Sequence, residues 1–237
     1  MKKVKLIIDQ GNTQTKLALF GNKKLLQKGV LENPSILPDW ESQAHCTFLS
    51  TVSDPSALLQ HLKNEPLTFS TINKYPIKNV YQTTETLGND RIAAVVAAAA
   101  LFPAITILVI DAGSCITYDL LTEDGYQGGS ISPGLTMRLQ ALYQHTHRLP
   151  LVALDEKVPL TGKTTQQSIQ SGVLNGVLAE VDGIIDRYKT IYSPLKVVFT
   201  GGDFLLFDKG LKNSIFVAPD LVLQGLNEII DYNEKNS

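Results

Sequence analysis

The sequence predicts an α/β protein built from two copies of one unit, and three observations carry that expectation. Apolar runs of strand character alternate with helical patterns along its 237 residues. The opening "VKLIIDQGNTQTKLALF" recurs as "ITILVIDAGSCITYDLL": an apolar strand, an aspartate, a glycine two residues on, small polar residues and a second apolar strand. The two aspartates, Asp9 and Asp111, stand 102 positions apart, too far for a solenoid repeat and close to a domain length. The halves are therefore expected at 1–104 and 105–237.

The elements follow in order. "KVKLIID" and "KLALFG" bracket a Gly-Asn turn as a hairpin, and "LLQKGVL" and "CTFLSTV" read as further strands. "DPSALLQHLKN" predicts a helix capped by Asp54 with Pro55 in its first turn. "NDRIAAVVAAAALF" predicts an alanine-rich helix ending near Pro103. After the second hairpin, "GGSISPG" reads as a turn-rich loop around Gly128, Gly129, Pro133 and Gly134. "QQSIQSGVLNGVLAEVDGII" has helical spacing, with Thr165 as its N-cap. Its glycines Gly172, Gly176 and Gly183 suit close packing inside a domain or across a dimer.

Composition narrows the function classes. Hydrophobic residues make up 43% of the chain, enough for an ordinary core. A net charge of -2 gives no electrostatic footprint for nucleic acid or an anionic membrane, so neither is an expected partner. The first apolar run stops at Asp9, and no run nears the about 18 residues of a membrane span. Cys46 and Cys115 fit no zinc or redox spacing, which suits a cytoplasmic protein. His145 and His147 are two apart, do not share a helix face, and read as surface residues. There is no P-loop and no Ser-His-Asp context.

A carboxylate at the end of a buried strand needs compensation. Two matched loops, with Gly11, Asn12 and Thr13 in one and Gly113 and Ser114 in the other, offer backbone N–H groups and hydroxyls to phosphate oxygens across a cleft. Asp9 and Asp111 would repel a bare nucleotide, so they are expected to hold cations that screen the phosphates, with Lys16 beyond the first loop. In "LGNDR", Asn89 or Asp90 fits a helix cap. The same segment also fits a site in which Asp90 takes the proton of a substrate hydroxyl and Arg91 grips a carboxylate.

These segments together resemble the type III pantothenate kinases. "DQGNTQTK" matches the family's Asp-x-Gly-Asn-Thr-x-x-Lys, "LGNDR" its Gly-x-Asp-Arg, and "DAGSCITYD" its Asp-Ala-Gly-Thr-x-x-Thr-x-Asp with serine for the first threonine. "GGSISPGL", "TQQSIQSG" and "VVFTGGD" follow in the family's order, so the resemblance covers nearly the whole chain. It implies two duplicated ribonuclease H-like domains of the actin-type ATPase class, mixed sheets flanked by helices, with ATP between them. It also implies ATP-dependent phosphorylation of pantothenate to 4′-phosphopantothenate, the first step of coenzyme A biosynthesis.

The resemblance further implies roles for single residues. Asp90 is the catalytic base. Tyr81, Gly88, Asn89, Asp90 and Arg91 line the pantothenate pocket, and Asn89 stands where the family commonly has alanine. Asp9, Gly11, Asn12, Thr13, Lys16 and Ser114 contact ATP, with Mg²⁺ at Asp9 and K⁺ or NH₄⁺ at Asp111. Thr165 reaches pantothenate from the neighbouring subunit of a homodimer. The alternatives are another small-molecule kinase of the same superfamily or a non-catalytic regulatory relative.

Overall fold

A computed structural model gives the structure and describes residues 3–72, 74–155 and 157–236. The chain forms two compact units: the first takes the described residues up to Pro103, Asp124–Tyr126 and those from Asp220 on, and the second takes Ala104–Glu123 and Gln127–Pro219.

In the first unit, β1 (Val4–Gln10) pairs antiparallel with β2 (Thr15–Gly21), which pairs antiparallel with β3 (Lys24–Val30). The short helix α1 (Leu37–Glu41) leads to β4 (Cys46–Thr51), which lies parallel to β1 and completes the order β3-β2-β1-β4. β1 is apolar on both faces because both are covered. Leu6 and Ile8 join a cluster with Leu17, Leu19, Leu37, Leu49 and Leu58. Ile7 points to the other face, with Ala18, Phe20 and Phe48.

The predicted helix over "DPSALLQHLKN" is only α2 (Ser56–Leu59). The Asp54 carboxylate accepts from the Ser56 N–H and hydroxyl, at 3.0 and 2.6 Å, as a local cap. The helix does not continue because buried Glu41 takes the N–H groups of Lys63 and Asn64, at 2.7 and 2.9 Å. These bonds hold the Glu41 carboxyl below its usual range against the opposing effect of burial. The alanine-rich helix is α3 (Asn89–Leu101), and its Ala93 and Val96 join the cluster on the Ile7 face of the sheet.

The second unit repeats the order. β5 (Thr106–Ala112) pairs antiparallel with β6 (Cys115–Thr122), and β7 (Gly125–Pro133) lies outside β6. "GGSISPG" is thus largely strand rather than loop. A Cβ on Gly129 would stand 1.6 Å from the Tyr118 carbonyl oxygen, so this glycine serves strand contact and not a turn. Helices α4 (Leu135–Gln144) and α5 (Thr165–Ile191) precede β8 (Leu195–Thr200), which is parallel to β5. After α6 (Phe204–Gly210), β9 (Phe216–Val217) extends the sheet to β7-β6-β5-β8-β9.

Thr164, not Thr165, caps α5: its hydroxyl accepts from the Gln167 N–H at 3.1 Å, while the Gln167 amide oxygen accepts from the Lys163 N–H at 2.9 Å. A Cβ on Gly172, Gly176 or Gly183 would meet no atom within 4 Å among the described residues, so these glycines do not pack a neighbouring helix inside the chain.

The last helix, α7 (Leu221–Lys235), differs from the expected span of 105–237 for the second half. Leu223, Leu226, Ile229 and Ile230 bury against Ala93 and Val96 of α3 and against Ile7 and Phe20 of the first sheet. The reason is apolar area, since the face of the first sheet carrying Ile7 is covered by α3 and α7 together.

Candidate active site

Asp9 lies near the end of β1, and the strand register sets Lys16 of β2 and Ser50 of β4 directly beside it. Cross-strand partners point to the same sheet face, so carboxylate, ammonium and hydroxyl converge. The Ser50 hydroxyl is buried and hydrogen-bonds to Asp9. Burial pushes the Asp9 carboxyl up to about 6, with the Asp90 charge adding to the rise and Lys16 and Ser50 opposing it. The loop beyond is closed by the pair Gln10–Thr15, and the Gly11 N–H donates to the Gln14 carbonyl at 3.0 Å. Asn12 and Thr13 are exposed at its tip.

The residues of "GNDR" open α3. Gly88 holds the cap position and offers no side chain there, so neither Asn89 nor Asp90 is the cap residue. Asp90 is instead in the first turn, where the positive helix end favours an acid, and its Oδ1 accepts from the Arg91 N–H at 2.9 Å. A Cβ on Gly88 would stand 2.5 Å from that Oδ1. Glycine therefore leaves room for the Asp90 carboxylate to fold back over the helix start.

Arg91 is buried, with its guanidinium carbon 5.8 Å from the centre of the Tyr81 ring. Tyr81 packs 5.9 Å from Tyr126, centre to centre, and its N–H donates to Asn79 Oδ1 at 3.0 Å. Tyr126 is fully buried and tied to the Lys78–Val80 backbone by two hydrogen bonds, at 2.9 and 3.1 Å. A positive fork backed by an aromatic wall and set next to a carboxylate suits a small polar substrate that bears a carboxylate.

In the second unit the register sets Thr117 and Thr200 beside Asp111, as Lys16 and Ser50 stand beside Asp9. This donor set is all oxygen, which suits a hard cation. Ser114 is exposed in the turn, whose Gly113 N–H donates to the Cys115 carbonyl at 2.9 Å. Thr165 is exposed in the first turn of α5.

The fold therefore gathers Asp9, Lys16, Tyr81, Gly88, Asn89, Asp90 and Arg91 in the first unit, with Gly11, Asn12 and Thr13 on the adjoining loop. Asp111 and Ser114 share the second hairpin, and Thr165 is on a separate element. Sequence reasoning missed Ser50 and Tyr126. Ser50 lies one residue before the end of a strand whose parallel pairing to β1 has no local signal. Tyr126 comes from a strand of the second sheet, though its contacts belong to the first unit.

Two mixed sheets of matching order, each with an aspartate at the mouth of its first hairpin, define the fold class: two duplicated ribonuclease H-like units with mixed sheets flanked by helices. The family model described as type III pantothenate kinase matches residues 49–187. A type III pantothenate kinase from Christiangramia forsetii is 41% identical over 239 residues, covering 97% of this chain and 98% of its own. Among solved structures, one from Campylobacter jejuni, named for the Baf family of transcriptional activators, superposes with a TM-score of 0.64. It is 24% identical and covers 97% of this chain and 99% of its own. The (R)-2-hydroxyglutaryl-CoA dehydratase component A of Acidaminococcus fermentans gives 0.55 at 14% identity, covering 99% of this chain and all of its own. The chain belongs to the type III pantothenate kinase family.

Proposed function

We propose that this protein is an enzyme that transfers the γ-phosphoryl group of ATP to the primary hydroxyl of pantothenate, giving 4′-phosphopantothenate and ADP for coenzyme A biosynthesis. The observation that carries the reading is the Asp90 carboxylate folded over Gly88, next to Arg91 and close enough to Asp9 to raise its pKa.

Asp90 accepts the hydroxyl proton as the oxygen attacks the γ-phosphorus, and the bond from that phosphorus to the departing ADP oxygen breaks. Arg91 pairs with the pantothenate carboxylate, while Tyr81, Gly88 and Asn89 line the same pocket. Gly11, Asn12, Thr13 and Lys16 hold phosphate oxygens from the first hairpin, and Ser114 does so from the second.

Two cations fit residues that are present. Asp9 with Asp90 beside it is a carboxylate pair whose repulsion a divalent ion relieves, which supports Mg²⁺ at Asp9. Asp111, Thr117 and Thr200 supply oxygen donors suited to K⁺, or to NH₄⁺ as a hydrogen-bond donor. These ions supply charge neutralisation at the phosphates.

The enzyme works as a cytoplasmic homodimer in which Thr165 completes the partner's pocket. The exposed position of Thr165 and the open face of α5 at Gly172, Gly176 and Gly183 support this arrangement. Incubation with MgATP and pantothenate should yield 4′-phosphopantothenate by mass spectrometry, with no product from a panel of sugars. Folded protein that phosphorylates a sugar and leaves pantothenate untouched would replace this reading.

A further inference from the structure

Away from the site just described, the edge of the first unit holds His45, Cys46 and Glu234, whose ligand atoms all lie within 4.8 Å of one another. Cys46 begins β4 and Glu234 stands in the last turn of α7, so only the fold brings them together. The His45 Nδ1 lies against the Val4 carbonyl, which fixes the ring hydrogen on that nitrogen. In the neutral ring, the Nε2 lone pair then faces the Glu234 carboxylate, with Oε1 at 3.2 Å. Two acceptors in that geometry call for a cation between them.

A proton would meet that need for His45 and Glu234 alone, but the third member is a sulfur. The 3.2 Å separation also matches the edge of a tetrahedron with bonds of about 2.0 Å to nitrogen and oxygen, which is about 3.3 Å. A ring whose second nitrogen is held by a backbone carbonyl is the usual setting of a metal-ligating histidine. We propose that His45, Cys46 and Glu234 form a binding site for a borderline-soft divalent cation of the zinc type.

The surrounding charges are compatible with this. Lys5 is spent in a buried ion pair with Asp231, and Lys3 lies 3.9 Å from the other Glu234 oxygen. The Cys46 thiol is pushed up to about 11, chiefly by burial and further by Glu234, which argues against a reactive or redox cysteine. When the metal binds, the thiol proton passes to the buffer and the sulfur enters as thiolate. Three protein ligands leave a fourth position for water. The ion would clip the end of α7 to the start of β4, within the first unit.

The test is a titration of chelator-stripped, full-length protein with Co²⁺, with excess Mg²⁺ present to occupy the carboxylates of the kinase site. A thiolate-to-cobalt charge-transfer band should saturate at one equivalent and disappear on adding Zn²⁺. Cys46→Ser should abolish the band, Glu234→Gln should weaken binding about tenfold, and Cys115→Ser should leave it intact. Zn²⁺ should raise the melting temperature of wild type but not of Cys46→Ser. No band with folded wild-type protein, or a band that survives in Cys46→Ser, would overturn the proposal. Because the readout is spectroscopic, its failure is separate from any failure of the kinase assay.

Discussion

The two aspartate hairpins share a topology but not a charge balance. In the first, Asp9 sits between a lysine and a serine, and its own neighbour in space is a second carboxylate, Asp90. In the second, Asp111 sits between two threonines. The closing pairs also differ: Gln10–Thr15 spans residues 11–14, whereas Ala112–Ile116 spans only 113–115. One scaffold thus occurs twice with different flanking side chains, and the proposed roles follow that difference. The first hairpin supplies Asp9 and Lys16, and α3 of the same unit adds Asp90 and Arg91, the groups proposed above for chemistry on a hydroxyl. The second sets two neutral hydroxyl residues beside its single carboxylate, the donor set proposed above for a monovalent cation.

Each prediction strains that division at a different point. The largest effect belongs to Asp90→Asn, which should cut turnover by about 10²-fold or more in a protein that melts as wild type does. Near-normal turnover in steady-state assays would remove Asp90 as the base. Thr117→Lys gives the second hairpin the charge of the first and should make turnover indifferent to K⁺, because the tethered ammonium takes the cation's place; retained stimulation by K⁺ would separate Asp111 from the cation.

Gly88→Ala is milder. The added methyl claims the space of the Asp90 carboxylate, so kcat should fall about tenfold with a smaller change in KM for ATP. The smallest effect is thermodynamic. Asp9 has a folded pKa of about 6 against a usual 3.8, so the cost of burying its charge is absent when it is protonated. That cost grows as pH rises from about 4 to about 6 and is full above that range. In metal-free protein, Asp9→Asn should therefore be more stable than wild type by about 1 kcal/mol at neutral pH, after discounting for partial exposure, and should lose that advantage near pH 4. Urea unfolding at the two pH values checks it.

The parts legible in sequence were those set by local pattern. The duplicated strand-Asp-x-Gly grammar placed β1, β2, β5 and β6, and "NDRIAAVVAAAALF" placed α3, because each rests on periodicity within one segment. What escaped was set by distant partners. Glu41 truncates α2 by capturing amides more than twenty residues away, and α7 crosses to the first unit because apolar surface there remained to be covered. Thr164 outcompeted Thr165 as cap because Gln167 stands at the right offset for it. Ser50 and Tyr126 were silent for the same reason, as was the trio of adjacent His45 and Cys46 with Glu234, which lies 189 positions beyond His45.

The most direct measurement compares initial rates of 4′-phosphopantothenate formation by wild type and Asp111→Ala, each with MgATP in K⁺ and in Na⁺. Wild type should be active in K⁺ and much slower in Na⁺, and Asp111→Ala should run equally slowly in both. A wild type indifferent to the salt, or an Asp111→Ala protein that keeps the full response, would contradict the division of labour between the two hairpins.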